Sequence, residues 1–567
     1  MGKLTHSRKI IKGKLVFRGE HGGTIIGFVA LDEPHMTMRS TKKISKELYN
    51  MQNTTTPGYF DGAMPRKVLD YYLSHAVTAQ WIYLSDTLDD DIRVIKKCGI
   101  KFLGRASGIW KAEMPDGEHF AKSRLAAEKI HAADPEIILQ ACIFEYIYQE
   151  DLSTTKIPAA VFEAFGLPVE DRCFDYNKAC FPERMNPSPN ACGFPDISRI
   201  ETQMWFYYRA INYIDAGYEA FHMGQIHLYT ALDRSWQGIA RVLDMMREYG
   251  RLHARRHKIL IDAHSHSMVL HGKSLLDYNA MPYTRFPMLD RPGEKLVLVR
   301  EGKTGGGIDP DGVYQKCLPF LMEYDNWGGR NNWAHDNQSY EERAWNQWWG
   351  DDQIYWFSAQ PEDERNKFLD YTFKWTAVNN PDAYFAFPLR RPLVSGECVK
   401  DYPYYKANNQ SEACPDGFSQ EDMLFSLMNS GYEKYRELAN PSDILDYGAR
   451  DVDEEKTGVR LPEKVVLFGS FQTYVGAVAN DSNSEITRMY YIGDNKYALA
   501  FVMPYKGEYT MAVSTWGTLS ACVSTDQGKY SFSGTGCKGK LSIEEDNTVV
   551  RVVFDYMTNE ICIEKRM

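Results

Sequence analysis

The sequence predicts an α/β protein: a (β/α)8 TIM barrel followed by an all-β sandwich domain. Three observations predict it. Apolar runs of strand length alternate with helical stretches through most of the chain, the pattern of a parallel sheet covered by helices. Several of those runs end in acids, histidines or arginines. From Lys464 onward the texture changes to short strand-like runs at near-regular spacing, separated by Gly, Asn and Asp turns, as in an antiparallel sandwich.

Size and composition set the frame. A chain of 567 residues exceeds the usual ~100–200 residues per domain, and a barrel alone takes about 250 or more. We therefore expect an N-terminal extension over 1–23, a barrel over 24–392, a helical linker region over 393–463 and a sandwich over 464–567. Hydrophobic content of 44% and charged content of 25% are ordinary for a globular protein. Aromatics are plentiful, with 36 Tyr and 12 Trp, side chains that suit both cores and sugar rings. The net charge of −11 argues against general nucleic-acid binding, which needs a basic face. No apolar run of ~18 residues is present, so no membrane span is expected. The start, Met1 to Lys9, lacks a signal-peptide apolar region, which fits a cytoplasmic protein or a secreted one with its leader removed. None of the eleven Cys falls in a CxxC spacing, which argues against a structural zinc site. Cys173, Cys180 and Cys192, or Cys398 and Cys414, could form disulfides in an oxidising compartment.

The elements follow in order. Thr24 to Leu31 reads as a buried strand ending in Asp32 and Glu33. Asp89 to Lys97 opens with acids and closes with bases, as a helix dipole favours, and Gly99 stops it. Ile100 to Ala106 is a strand ending near Arg105 and Trp110. Glu118 to Ala133 is helical. Glu136 to Tyr146 is a long apolar strand carrying Glu145 at its carboxyl end. After a Pro- and Asn-bearing loop, Ile200 to Ala216 is helical, and Tyr218 to Leu228 is a strand with Gln225 and His227 toward its end. Gln237 to His253 is an amphipathic helix. Lys258 to His266 is a strand on which Asp262, His264 and His266 share one side, because residues two apart point the same way.

Leu318 to Asp325 is apolar and then acidic. Leu321, Glu323 and Asp325 share a side, and Trp327 and two glycines follow. Asp352 to Ser358 reads as a seventh strand, Pro361 to Val378 as a helix and Asp382 to Pro388 as the last strand, followed by Arg390 and Arg391. The expected strands lie near 25–31, 100–106, 137–145, 219–227, 258–264, 318–325, 353–358 and 383–388. Lys295 to Arg300 is a further apolar stretch that fits either a barrel strand or a hairpin.

A barrel gathers its strand ends on one face, and that face carries the active site in this fold. Glycoside hydrolysis needs two acids across a cleft, one protonated for the leaving oxygen and one ionised to attack or to activate water. Glu145 and Glu323 form the best pair, with Asp325 and Asp262 in reserve. Trp110, Trp327 and Trp333 would be sugar platforms. Arg105, Gln225, His227, His264, His266 and Arg390 would bind substrate. For each acid the alternative is a structural carboxylate paired with Arg105 or Arg390. A second reading has His227, His264 and His266, with Glu323 or Asp262, holding a divalent metal in a hydrolase or isomerase. His-x-His on one strand gives a workable ligand spacing. Otherwise no cofactor is expected. A third reading is a barrel that binds glycan without cleaving it.

The barrel, the aromatic-rich loops and the C-terminal sandwich together resemble bacterial glycoside hydrolases of the (β/α)8 type. The resemblance implies a carbohydrate-active hydrolase with a carbohydrate substrate. The large clan with an Asn-Glu pair ending strand four and a Glu ending strand seven is similar in outline. This sequence departs from it, because strand four is expected to end in Gln225-Ile-His227 and strand seven in Phe357-Ser358. That clan's catalytic residues are therefore not carried over.

Overall fold

The computed structural model describes residues 57–109, 114–185, 192–283, 298, 304–326, 353–393, 403–441, 447–515 and 539–567, with the backbone of a few short strands elsewhere. The chain divides into two compact units, 1–57 and 58–567. In the first unit, Lys9–Ile11, Lys14–Arg18 and Thr24–Ile26 form a three-stranded antiparallel sheet. Thr24–Ile26 thus pairs within this sheet and is not the expected first barrel strand. Asp32 and Glu33 lie outside the described residues.

The second unit contains a parallel barrel. Its strands are β1 (Ala76–Ala79), β2 (Phe102–Gly108), β3 (Ile138–Cys142), β4 (Ala220–His222), β5 (Leu260–Asp262), β6 (Asn279–Pro282), β7 (Phe320–Glu323) and β8 (Ala383–Pro392). The hydrogen-bonded order runs β5-β4-β3-β2-β1-β8-β7-β6, and every neighbouring pair on that path is parallel. The ring closes between β5 and β6 through a parallel bridge from His264 to Ala280, where Ala280 N donates to Ala263 O at 3.0 Å. Most strand residues are buried, as expected of a parallel sheet covered on both faces.

The helices that cover it are α1 (Arg66–Ser74), α2 (Leu88–Cys98), α3 (Asp116–Ala133), α4 (Ile200–Asp215), α5 (Gln237–His253), α6 (Gln353–Ala359), α7 (Glu362–Asn379) and α8 (Glu421–Ser430). Helix α2 has Asp89, Asp90 and Asp91 in its first turn and Lys96 and Lys97 in its last, and it ends at Gly99 with φ 70°. That charge order and that stop are the ones its sequence calls for. Among the described residues no helix is long and apolar enough to cross a membrane.

Two strands differ from the sequence reading. Residues 353–358 are the helix α6, not a strand. Ile354, Phe357 and Ser358 are buried at helical spacing, and short aromatic runs are ambiguous between the two periods. The strands β1 and β6 occupy the places that 25–31 and 353–358 were expected to fill. Both are only four residues long, and β6 reads Asn-Ala-Met-Pro, without an apolar run.

The C-terminal part is an antiparallel sandwich. Its strands are β9 (Val465–Phe468), β10 (Tyr490–Gly493), β11 (Lys496–Met503), β12 (Gly507–Thr515), β13 (Gly539–Ile543), β14 (Thr548–Asp555) and β15 (Glu560–Arg566). One sheet pairs β12 with β9 and β13, and the other runs β10-β11-β14-β15. Alternation decides the packing of β11. Leu499, Phe501 and Met503 enter the sandwich core, while Ala500 and Val502 join the core of the barrel. Asn440 pins that seam, its side chain accepting from Ala500 N and donating to Ala500 O, each at 2.8 Å. Cys173, Cys180, Cys192 and Cys414 are free thiols, and Cys398 lies outside the described residues.

Candidate active site

The carboxyl ends of the barrel strands converge on a charged cluster. Arg105 sits where the register of β2 against β3 shifts between Leu103 and Ser107, and its φ is 58°. A left-handed residue at such an irregularity is costly for a side chain with a Cβ and re-aims it. Its backbone N–H donates to Gln140 Oε1 at 2.9 Å, and its carbonyl accepts from Trp81 N at 3.0 Å. The guanidinium reaches Glu323, the last residue of β7, and donates to its Oε1. Arg391 on β8 donates from Nη1 to Glu323 Oε2 at 3.0 Å and from Nη2 to Asp325 Oδ1 at 2.8 Å. Each oxygen of Glu323 therefore faces a buried guanidinium.

Burial alone would raise the Glu323 carboxyl. The Arg105 guanidinium, the His264 ring and Arg391 outweigh it and hold the group well below the usual carboxylate range. Asp325 is held low in the same way, burial being overcome chiefly by Arg105 and then Arg391. Both are ionised at neutral pH. Arg391 is fully buried, so the cluster is not a surface ion pair.

Above the cluster opens a cavity of about 430 Å³, walled by Asp325, His264, His266, Gln225, His227 and Trp236 among others. His264 Nε2 lies 3.4 Å from Arg105 Nη2 and 3.6 Å from Glu323 Oε1. Burial lowers the His266 and His227 rings, His264 adding to the effect on His227, so both are neutral near pH 7. Glu145 lies just past β3. Its Oε2 accepts from Gln225 N at 3.1 Å and its Oε1 from Gln225 Nε2 at 3.3 Å, which sets it behind one wall of the cavity. Gly224, at φ 58°, makes room for it, since a Cβ there would collide with Glu145 Oε2.

Several expected residues take other positions. Strand β4 ends at His222, so Gln225 precedes and His227 lies within a short helix, Ile226–Tyr229. Arg390 points away from the cluster: its Nη1 donates to Gln80 O at 2.6 Å and its guanidinium stacks over Tyr404. Neighbours on a strand face opposite ways, and it is Arg391 that enters the site. Asp262 lies beneath the cavity wall. Its Oδ1 accepts from Gln140 Nε2 at 2.6 Å and Tyr278 OH at 3.0 Å, and its Oδ2 lies 2.7 Å from His222 Nδ1. Ser358 lies in α6. Trp110, Trp327 and Trp333 lie outside the described residues.

Sequence reasoning missed His222, Gln140, Tyr278, Arg391 and Trp236. The alternation of β4 and β5 could have given His222, which is the register partner of Asp262. Trp236, at φ 54° just before α5, has no sequence signal that we can identify.

The metal reading changes its ligands. The donor atoms of His222, His264 and Glu323 lie within 4.8 Å of one another, whereas His227 and His266 stand apart from that group. An ion there would share Glu323 with Arg105 and Arg391. Two guanidinium charges beside it oppose a divalent cation.

No protein-family model and no curated protein sequence matches the chain. Solved structures do. A GH31 dextranase of Flavobacterium johnsoniae is similar at 11% identity and TM-score 0.33, over 89% of this chain and 52% of that one. A GH36 α-galactosidase of Geobacillus stearothermophilus is similar at 9% identity and TM-score 0.29, over 84% of this chain and 53% of that one. An isomalto-dextranase of Arthrobacter globiformis T6 is similar at 10% identity and TM-score 0.32, over 87% and 73% of the two chains. The chain thus spans about half the length of the first two.

Proposed function

We propose that the chain is a glycoside hydrolase acting at the cavity on the barrel's C-terminal face. The observation that carries this reading is Glu323, an ionised carboxylate clamped by Arg105 and Arg391 beside a cavity of about 430 Å³. That volume suits a small-molecule site, such as a sugar unit. An ionised carboxylate is one half of what glycoside cleavage needs.

The other half is a proton donor, a role we assign to Glu145. Gln225 holds Glu145 with its backbone and side-chain N–H groups and also walls the cavity, which supports this role. Glu323, with Asp325 beside it, then stabilises the cationic sugar that forms as the bond breaks, or attacks it. Trp236 offers an aromatic face for the ring. His264 and His266, which both wall the cavity, are partners for hydroxyls.

The test is turnover of a panel of aryl glycosides by the full-length protein and by Glu145→Gln. Turnover by the wild type, reduced about 10²-fold or more in the variant, is the expected result. Glycan binding without turnover by the wild type would favour the binding-barrel reading. Equal turnover by both proteins would remove Glu145 from the mechanism.

A further inference from the structure

We infer that Asp325 sets the substrate class. Its one unengaged oxygen accepts a hydrogen bond from a donor group of the sugar in the cavity, and its charge turns away sugars that carry an acid group. This deepens the glycosidase reading and rests on it for the kind of ligand. Asp325 is on this account a specificity-determining residue.

Asp325 is held at every polar atom but one. Its backbone N–H donates to Gln353 Oε1 at 3.2 Å, and its carbonyl accepts from Gln353 N at 3.1 Å. Gln353 is buried at the start of α6, so the turn after β7 is tied to that helix. Asp325 Oδ1 accepts from Arg391 Nη2 and from Asn326 N, each at 2.8 Å. Asn326 is braced in turn. Its Oδ1 accepts from Arg391 Nη2 at 3.1 Å and its Nδ2 donates to Pro392 O at 2.9 Å. That leaves Asp325 Oδ2. Arg105 Nη2 lies 3.6 Å from it, too far for a hydrogen bond. Among the described residues Oδ2 has no hydrogen-bond partner.

Glu323 is not its equal. Both of its oxygens accept from guanidinium groups, and it is Asp325, not Glu323, that walls the cavity. An ionised carboxylate can only accept, so the oxygen left over calls for an O–H or N–H from whatever fills the cavity. A hydroxyl and an ammonium group both supply one.

The charges around the cavity point the same way. Arg105 and Arg391 are both committed to the carboxylates of the cluster, and neither stands on the cavity wall. Among the described residues, and histidines aside, Asp325 is the one charged side chain on that wall. Gln225, Thr230, Ser265 and Ser267 beside it are neutral. A carboxylate or sulfate on the sugar would meet Asp325 with no guanidinium to receive it. Like charges at close quarters in a site walled by protein repel strongly, and this is how one class of ligand is refused while another is bound.

The experiment compares matched aryl hexosides, aminohexosides and hexuronides as substrates of the full-length protein. The wild type should favour hexosides, aminohexosides or both over hexuronides by about 10²-fold or more in kcat/KM. Whichever of the first two leads tells a hydroxyl donor from an ammonium donor. Asp325→Asn inverts the role of the atom in the cavity. Arg391 Nη2 and Asn326 N can only donate, so the amide oxygen must stay with them and the NH₂ takes the place of Oδ2. The preference over hexuronides should then fall about 10-fold or more. A general loss of catalytic power lowers every rate and leaves that ratio unchanged. The same three sugar classes, as free sugars, are compared for binding by saturation-transfer NMR, which needs no turnover.

Hexuronides turned over by the wild type as well as the other two sets overturn the inference and keep the glycosidase reading. That measurement decides the matter even where Asp325→Asn fails to fold. A preference that does not change in a folded Asp325→Asn also overturns it. Preferential binding of hexose or hexosamine over hexuronate, lost in Asp325→Asn, with no glycoside turned over leaves the inference standing and removes the glycosidase reading. Neither binding nor turnover with any of the three classes removes both.

Discussion

Arg105 and Glu323 are joined in a buried ion pair across the mouth of the barrel, 218 residues apart in sequence. One comes from an irregular point on the second strand, the other from the last residue of the seventh. Arg391 completes the clamp from the eighth. The three side chains lock neighbouring and distant strands together at the place where the cavity opens.

That clamp separates two carboxylates that look alike in the sequence. Glu323→Gln leaves two buried guanidinium groups without their anion, so it should lower unfolding stability by about 3–5 kcal/mol as well as abolish turnover. Glu145 is held by neutral Gln225 groups, and Glu145→Gln should change stability by less than about 1.5 kcal/mol while removing turnover. Denaturant unfolding of both variants, read at an unchanged slope, measures the contrast. Equal stabilities would mean that the clamp does not hold the barrel mouth.

The same clamp fixes the sign of an acid dependence. The folded-state value of Glu323 lies well below its ordinary 4.5, because Arg105, His264 and Arg391 overcome the effect of burial. A depressed folded value means that this stability is fully present above the unfolded value and is lost as pH falls through the folded one. The difference in Tm between the wild type and Glu323→Gln should be constant from neutral pH down to about 4.5 and shrink only in stronger acid. Glu421, lowered to about 2 chiefly by its hydrogen bond from Arg93, acts with the same sign and is common to both proteins. A difference that already narrows near neutral pH would contradict the assignment.

Removal of divalent ions should leave the protein unchanged. The ligand-like group of His222, His264 and Glu323 already spends its carboxylate on two guanidinium cations. Dialysis against a chelator is expected to alter neither Tm nor turnover. A loss restored by added zinc would put the metal reading ahead of the paired-carboxylate one.

The sequence by itself determined the architecture and part of the site. Buried strands and helices alternate because a parallel sheet must be covered on both faces, and that demand is written residue by residue. The helices α2 to α5 and the strands β2, β3, β7 and β8 were legible for this reason, as was the change to a sandwich after Lys464. Glu323 and Asp325 stood out because acids at the end of an apolar run are anomalous in any core.

Tertiary structure decided the rest. The expected count of strands was right, but 25–31 and 353–358 took the places of β1 and β6. Four-residue strands such as Ala76–Ala79 and Asn279–Pro282 carry too few residues to display a period, and only pairing with their neighbours defines them. With that correction Glu323 ends strand seven, a place the sequence reading had given to Ser358. The choice of Arg391 over Arg390 follows from which face of β8 looks into the barrel, and the re-aimed Arg105 from a local shift in register. The Asp262–His222 pair exists because β5 lies beside β4 in one particular register. Strand order and register are set by contacts between residues far apart in the chain, so a reading that moves along the chain cannot supply them.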